Sequence, residues 1–333
     1  MNISKLKRKA ENGEPWAQLA LGECYYFGEC VEQDYKKAVY WYEKGLKQEK
    51  HLVAEYGEET EKELFVLAQY NLAQCYYEGD GVEQNYEKAV YWYTKAAKQG
   101  DADAQYNLGN CYLFGSGVEQ DYEKAVYWHT KAAEQGIEQA QYNLGNCYYN
   151  GDGVEQDYKK AVEWFKKAAK QDCPPAQNEL GICYYDGKGV EQDYEKAVYW
   201  YRKAAKQGNA YAQYNLGDCY YNGDGVEQNY DEAFKWYRKA AEQDDVDAQD
   251  SLGDCYFYGH GVEQNYEKAV ELFKKAAEQD CGEAQRSLGN CYVLGAGVPQ
   301  DYEKAKMWHD KAKENGEEFD EELLKKMEKA FNS

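Results

Sequence analysis

The sequence predicts an all-α fold, a solenoid of antiparallel αα-hairpin repeats with a 36-residue period, and three observations carry that prediction. From Cys147, steps of 36 residues reach Cys183, Cys219, Cys255 and Cys291 in one direction and Cys111 and Cys75 in the other; a longer step of 51 reaches Cys24. Trp41, Trp92, Trp128, Trp164, Trp200, Trp236 and Trp308 each follow their cysteine by 17 residues, and only Leu272 breaks the row. Within every period the apolar residues fall at helical spacing. A fixed period of about 20–50 residues marks stacked units that share one elongated core. Residues 1–333 are therefore expected to form a single solenoid of eight full repeats.

Taken in chain order, Leu6 to Gly13 matches the end of a repeat's second helix, which makes residues 5–16 an N-terminal half-repeat cap. In the unit beginning at Ala140, the residues Ala140, Leu144, Cys147 and Tyr148 share one face of a first helix. Gly145 has a counterpart in every repeat except the second, where Ala73 stands. A glycine inside a helix costs about 1 kcal/mol against alanine, so its recurrence predicts a close helix crossing. Gly151 and Gly153 then turn the chain. The second helix opens on an N-cap at Asp157, repeated as Asp34, Asn85, Asp121, Asp193, Asn229, Asn265 and Asp301. Tyr158, Ala161, Val162, Phe165, Ala168 and Ala169 form its buried stripe, and Trp164 widens it. It ends on a glycine (Gly100, Gly136, Gly208) or on Asp172, Asp244 or Asp280, a residue type that reaches left-handed geometry more readily than most.

Two segments depart from the period. The insertion at 49–66 is expected to extend a helical hairpin by about two turns on each side, projecting roughly 10 Å. Its apolar residues Leu52, Val53, Tyr56, Leu64, Phe65 and Leu67 would pack on each other or form a docking patch. Residues 317–331 match a first helix, with Leu324 and Met327 in phase, but are otherwise strongly charged, as a C-terminal capping helix should be.

The composition limits partners. A net charge of −22 repels phosphate backbones and anionic membranes, so no nucleic-acid or membrane partner is expected. A protein or peptide, basic or neutral, fits better. With no signal peptide and no long apolar run, a cytoplasmic monomer is the expectation. Of the 11 cysteines, eight occupy one equivalent position on helices about 8–10 Å apart, too far for the roughly 7 Å Cα separation that a disulfide tolerates. They read as buried free thiols, while a Cys24–Cys30 bridge stays geometrically open. No CxxC pair and only four histidines argue against zinc, and GDGVEQD lacks the ligand spacing of a calcium loop, so no cofactor or metal is expected.

The repeated pattern, seen in Ala212–Gln213, Leu216–Gly217, Tyr220, Gly223, Gly225–Val226, Asn229, Ala233 and Trp236–Tyr237, resembles the Sel-1-like repeat (SLR) family, relatives of the tetratricopeptide repeats. The resemblance spans residues 5–330. It implies a right-handed superhelix whose first helices line the concave side, and non-enzymatic scaffold or adaptor work binding polypeptides. A branch of the family with paired cysteines, C-x7-C, has been linked to penicillin binding and gives the alternative, an enzyme or ligand-binding protein of that kind. No such pair occurs here.

Differences among the copies then point to the candidate site. The third residue after the alanine of each Ala-Gln pair includes Asn71, Asn107, Asn143, Glu179 and Asn215; the sixth includes Asn110, Asn146, Ile182, Asp218 and Asp254. These positions share a helix face away from the apolar stripe and are expected to point to solvent in the concave groove. Asparagine amides match the donors and acceptors of an extended peptide. Tyr106, Tyr142 and Tyr214, with Tyr70, flank the row and would supply stacking. Glu179, Ile182, Asp218 and Asp254 break the asparagine pattern and are where selectivity is expected. A row of loop glutamates, Glu32, Glu83, Glu119, Glu155, Glu191, Glu227 and Glu263, reads as a solvated edge that could steer a basic partner. His129 and His309 stand where other repeats carry Tyr or Phe and read as aromatic substitutes, so no catalytic residue is assigned.

Overall fold

The computed structural model of the protein describes residues 2–48 and 59–317, the side chains of 59–61 aside. Its helices fall into two compact units, Met1–Gln171 and Asp172–Ser333. No strand occurs among the described residues. In the first unit α1 (Ile3–Glu11) packs on α2 (Pro15–Phe27), which pairs with α3 (Tyr35–Leu46). Then follow the hairpins α4 (Glu59–Glu78) with α5 (Tyr86–Lys98), α6 (Ala102–Phe114) with α7 (Tyr122–Glu134), and α8 (Glu138–Asn150) with α9 (Tyr158–Lys170). In the second unit the hairpins are α10 (Pro174–Asp186) with α11 (Tyr194–Lys206), α12 (Ala210–Asn222) with α13 (Tyr230–Ala241), α14 (Val246–Tyr258) with α15 (Tyr266–Ala277), and α16 (Gly282–Leu294) with α17 (Tyr302–Glu314). Within each unit the second helix of one hairpin also packs on the first helix of the next.

The caps work as the residue types dictate. Asp34 Oδ1 accepts from the backbone N–H of Lys37 at 2.9 Å, and Asn229 Oδ1 from that of Glu232 at 3.0 Å; the bond recurs at every second helix. Each such cap is worth about 1 kcal/mol. Asp172, Asp244 and Asp280 hold left-handed backbone at φ 61, 63 and 62°, as their place at helix ends requires.

Packing is set by one ring per repeat and, in every repeat but the second, one helical glycine. Phe165 and Tyr201 are fully or almost fully buried among Ala, Leu and Cys side chains. A Cβ at Gly145 would stand 2.5 Å from Phe165 Cδ1, and one at Gly217 would stand 2.6 Å from Tyr237 Cδ1. The helical glycine is therefore the seat of the ring from the second helix. His129, fully buried, and His309 occupy the same place over Gly109 and Gly289, as aromatic substitutes should.

A second device was not visible in the sequence. The glutamine of every Ala-Gln pair is buried. In Gln18, Gln105, Gln141, Gln213 and Gln285 its Nε2 donates to the end of the preceding helix, as from Gln141 to Ala133 O at 3.1 Å and from Gln213 to Ala205 O at 3.1 Å. Its Oε1 accepts from the side-chain amide 30 residues later: Gln171 to Gln141 at 3.0 Å, Gln243 to Gln213 at 2.8 Å, and Asn315 to Gln285 at 2.9 Å. This buried amide ladder ties three helices together wherever both bonds form, as at Gln141 and Gln213. It also corrects one expectation. Gln48 donates to Gln18 Oε1 at 3.1 Å and to Gly13 O at 3.4 Å, which holds the end of α3 at Leu46, so that helix is not lengthened by the insertion. Among the described residues the added helix lies in α4, which has 20 residues where α6 has 13. Phe65 and Leu64 pack into the first unit's core, whereas Leu52, Val53 and Tyr56 lie outside the described residues, as does the helix expected after Glu317.

All described cysteines are free. Cys75, Cys111, Cys219, Cys255 and Cys291 are buried, and burial pushes their thiols up to about 12. Cys24 differs from its row in being half-buried; only α1 covers the first repeat on its outer side. Cys30 is exposed. In the native protein a thiol reagent should therefore modify Cys30 first and leave the buried row at least about 100-fold slower, because reaction requires thiolate and access. Mass spectrometry after a short pulse reads this out; simultaneous labelling of the row would show that it is not sealed.

Candidate functional site

The varied positions of the first helices do not stand free in solvent, which corrects the sequence expectation. Asn71 is only 2% exposed and donates to the Tyr42 hydroxyl at 3.2 Å. Asn107, Asn110, Asn143, Asn146, Glu179, Ile182, Asn215, Asp218 and Asp254 are all half-buried. The physical reason is the spacing of stacked first helices: side chains three and six positions after the alanine reach the neighbouring repeat before they reach water. Asn143 Nδ2 donates to Asn110 Oδ1 at 3.1 Å, and Asn215 Nδ2 donates to Asn178 Oδ1 at 3.0 Å. Asn178, which sequence reasoning passed over, is a buried member of the same seam.

The sixth position follows a rule that only the pairing of helices reveals. It faces the buried ring of its own repeat, 19 residues on. In several repeats the ring's donor is accepted by the sixth residue: His129 Nε2 donates to Asn110 at 3.0 Å, Tyr237 Oη to Asp218 at 2.6 Å, and His309 Nε2 to Asn290 at 3.0 Å. Tyr93 is bonded likewise to Gln74. Burial presses the His129 imidazolium down to about 4, so the ring is neutral and free to donate from Nε2. Phe165 and Phe273 offer no hydroxyl, so Asn146 and Asp254 find no ring partner; Ile182 instead packs in the apolar cluster with Tyr201.

The flanking tyrosines are half-buried and lean on the same rings. Tyr106 lies 5.9 Å from His129, Tyr142 6.2 Å from Phe165, Tyr214 6.0 Å from Tyr237 and Tyr70 6.1 Å from Tyr93, centroid to centroid. Carboxylates in the seam are desolvated. Burial raises Glu179, and it raises Asp218 and Asp254 to about 6 despite the hydroxyls bonded to Asp218. Glu23 is pushed up to about 7, by burial first and by nearby Glu29 second. Among the described residues the surface is thus one of amides, phenols and partly protonated acids, groups whose chemistry suits polar chain and cations. Among the described residues no group of three or more His, Cys, Asp or Glu is placed to hold a metal ion, and no helix is long and apolar enough to cross a membrane. The seven loop glutamates from Glu32 to Glu263 are exposed, and they lie on the loops rather than in this seam.

Comparison with known proteins gives a consistent picture. The family profile described as Sel1 repeat matches at 17–49, 66–101, 102–137, 138–173, 174–209, 210–245, 246–281 and 282–317. The chain is similar to the protective antigen c5321 of uropathogenic Escherichia coli, which displays an SLR fold, at 38% identity and a TM-score of 0.79 over 95% of this chain. It spans 65% of the length of that antigen. It is also similar to a Sel1 repeat protein from Oxalobacter formigenes, at 32% identity and a TM-score of 0.70, covering 98% of this chain and 90% of that one. No curated protein matches the chain.

Proposed function

The chain belongs to the Sel1 repeat family, and from that premise we propose that it is a non-enzymatic scaffold that binds a peptide or partner protein along its first helices. Sel1 repeat proteins are generally protein-interaction scaffolds. The observation that carries the finer reading is the polar seam itself. Ala, Gln, Leu and Cys repeat faithfully to build each hairpin, whereas the third and sixth positions vary and still line up from repeat to repeat. Asn146 makes no hydrogen bond within the described residues, so its amide remains available to a bound backbone. Asn107, Asn143 and Asn215 spend part of their capacity on neighbours and keep a carbonyl oxygen for a ligand N–H.

Peptides selected by display on the wild-type protein should lose about tenfold or more in affinity for the variant carrying Asn107→Ala, Asn143→Ala, Asn146→Ala and Asn215→Ala, equivalent to one or two hydrogen bonds. Circular dichroism and the melting temperature check that this variant is folded. Unchanged affinity across all selected peptides, with the fold intact, would move the binding surface elsewhere.

A further inference from the structure

In the repeat built on α14 and α15, two satisfying devices are missing at once. The second position after the alanine holds a tyrosine in Tyr70, Tyr106, Tyr142 and Tyr214, each leaning on its repeat's buried ring, but here it is Asp250. The buried ring here is Phe273, which has no hydroxyl to give Asp254. Asp250 is only 5% exposed, and its Oδ1 is buried with no hydrogen-bond partner. Asp254, one turn further along the same face, has neither a hydrogen bond nor an ion pair among the described residues. Asp247 on α14 and Glu283 on α16 add negative charge to the same place. Among the described residues the cation that acts on both, Arg286 on α16, pairs through its Nε with Glu317 Oε2 at 3.5 Å. A lone buried carboxylate without a donor is costly, and native structures retain one where a partner supplies the missing charge.

We infer that Asp250 and Asp254 form a pocket for a basic side chain, arginine or lysine, of a polypeptide lying along α14 and α16. This rests on the reading of the first-helix face as the binding surface, and it names what the partner must carry there. Charge complementarity selects the occupant. Among the described residues, four carboxylates against one diverted arginine leave a net negative site with no group of three or more metal ligands, and a guanidinium or ammonium brings the donors both carboxylates lack. The unfilled state should keep protons on the site. Burial foremost, then Asp254, Glu283 and Asp247, push Asp250 up to about 8 against the weaker opposing pull of Arg286; Cys281 also faces it from the start of α16. A bound cation must displace those protons, so binding strengthens as pH rises towards 8.

The test uses the full chain with ¹³C-labelled aspartate, its two signals assigned with Asp250→Asn and Asp254→Asn. The probe is Nα-acetyl-arginine amide, beside the uncharged isostere Nα-acetyl-citrulline amide. Expected are saturable shifts of both carboxyl signals and a lowered Asp250 midpoint with the arginine probe alone, with affinity falling about tenfold per pH unit below that midpoint. Equal effects of the citrulline probe, or none from arginine, would overturn the inference. So would shifts caused by magnesium or spermidine where arginine amide has none, since the site would then serve free cations. Display-selected peptides separate the two readings. If they lose affinity for the four-asparagine variant but bind the folded Asp250→Asn/Asp254→Asn variant unchanged, the basic pocket fails and the binding face stands. If neither variant weakens them, the face itself fails.

Discussion

Gly153→Ala is expected to destabilise the first unit by on the order of 3 kcal/mol or more, among the largest effects available to a single methyl group. Two costs coincide at this loop position. Its φ of 69° lies in the left-handed region, where a Cβ alone costs about 1 kcal/mol. The added Cβ would also stand 2.7 Å from the backbone nitrogen of Glu123 and closer still to the carbonyl group of Tyr122, at the start of α7 in the preceding repeat. Backbone atoms cannot rotate aside as a side chain can, so the loop must withdraw and the two hairpins must part. Gly136→Ala is the control: its φ is 99°, but nothing lies within 4 Å of the new Cβ. Urea unfolding followed by circular dichroism should show Gly136→Ala losing only the conformational share. Equal losses at the two sites would mean that the inter-repeat contact contributes nothing. Cys30 illustrates the same rule from the other side. It fills the equivalent place in the first repeat at φ 65°, and among the described residues only α1 precedes that repeat's hairpin.

Replacing Asp250 by asparagine should stabilise the protein at pH 8.5 and leave it nearly unchanged at pH 4. The sign follows from the direction of the shift. An acid whose pKa is raised on folding, here from near 3.9 in the unfolded chain to about 8, holds in the native state a proton that the unfolded state has lost. That contribution is complete below the unfolded value and disappears as pH rises through the folded one. Glu23, raised to about 7, and Asp218 and Asp254, raised to about 6, act in the same sense. His129 opposes them: its pKa is lowered to about 4, so its neutral ring favours folding progressively from pH 4 to about 6.5. Wild-type stability should therefore decline from about pH 4, most steeply below pH 6 where all four acids contribute, and more gently up to pH 8 where Asp250 alone remains. Asp250→Asn should flatten the curve between about pH 7 and 8, where the loss is Asp250's own at roughly 1.4 kcal/mol per pH unit, and lessen the slope below it. Melting temperatures of both proteins between pH 4 and 9 provide the measurement; parallel curves would show that Asp250 is not the group responsible.

Much of the architecture was legible because it depends on local chemistry repeated in phase. Asp157 and its counterparts cap helices wherever they occur, Gly145 leaves room for a ring, and the thiols of Cys111 and Cys147 fill an apolar position. The candidate site was legible only as a set of positions. A helical face that avoids the apolar stripe looks solvent-directed when each helix is considered alone, yet Asn71, Asn110 and Asn143 find their partners on other helices, 29 and 33 residues away or across the hairpin. The buried amide ladder through Gln141 and Gln171 was hidden for the same reason: glutamine is ordinarily a surface residue, and its pairing spans 30 residues.

The sequence by itself determined the period, the two helices of each repeat, their caps and the residues that fill the core, because those follow from propensity and spacing within about 36 residues. Tertiary structure alone decided which polar side chains are satisfied. Whether Asn110, Asp218 or Asp254 has a partner depends on the ring that the second helix delivers to it, His129, Tyr237 or Phe273. The unit that repeats thus explains the stacking, and the one repeat in which Asp250 and Asp254 lack both ring cover and ring donor is where the protein departs most from its own pattern. A carboxylate's energy inside a protein depends on its neighbours far more than on its own identity, and those neighbours are assembled only by the fold.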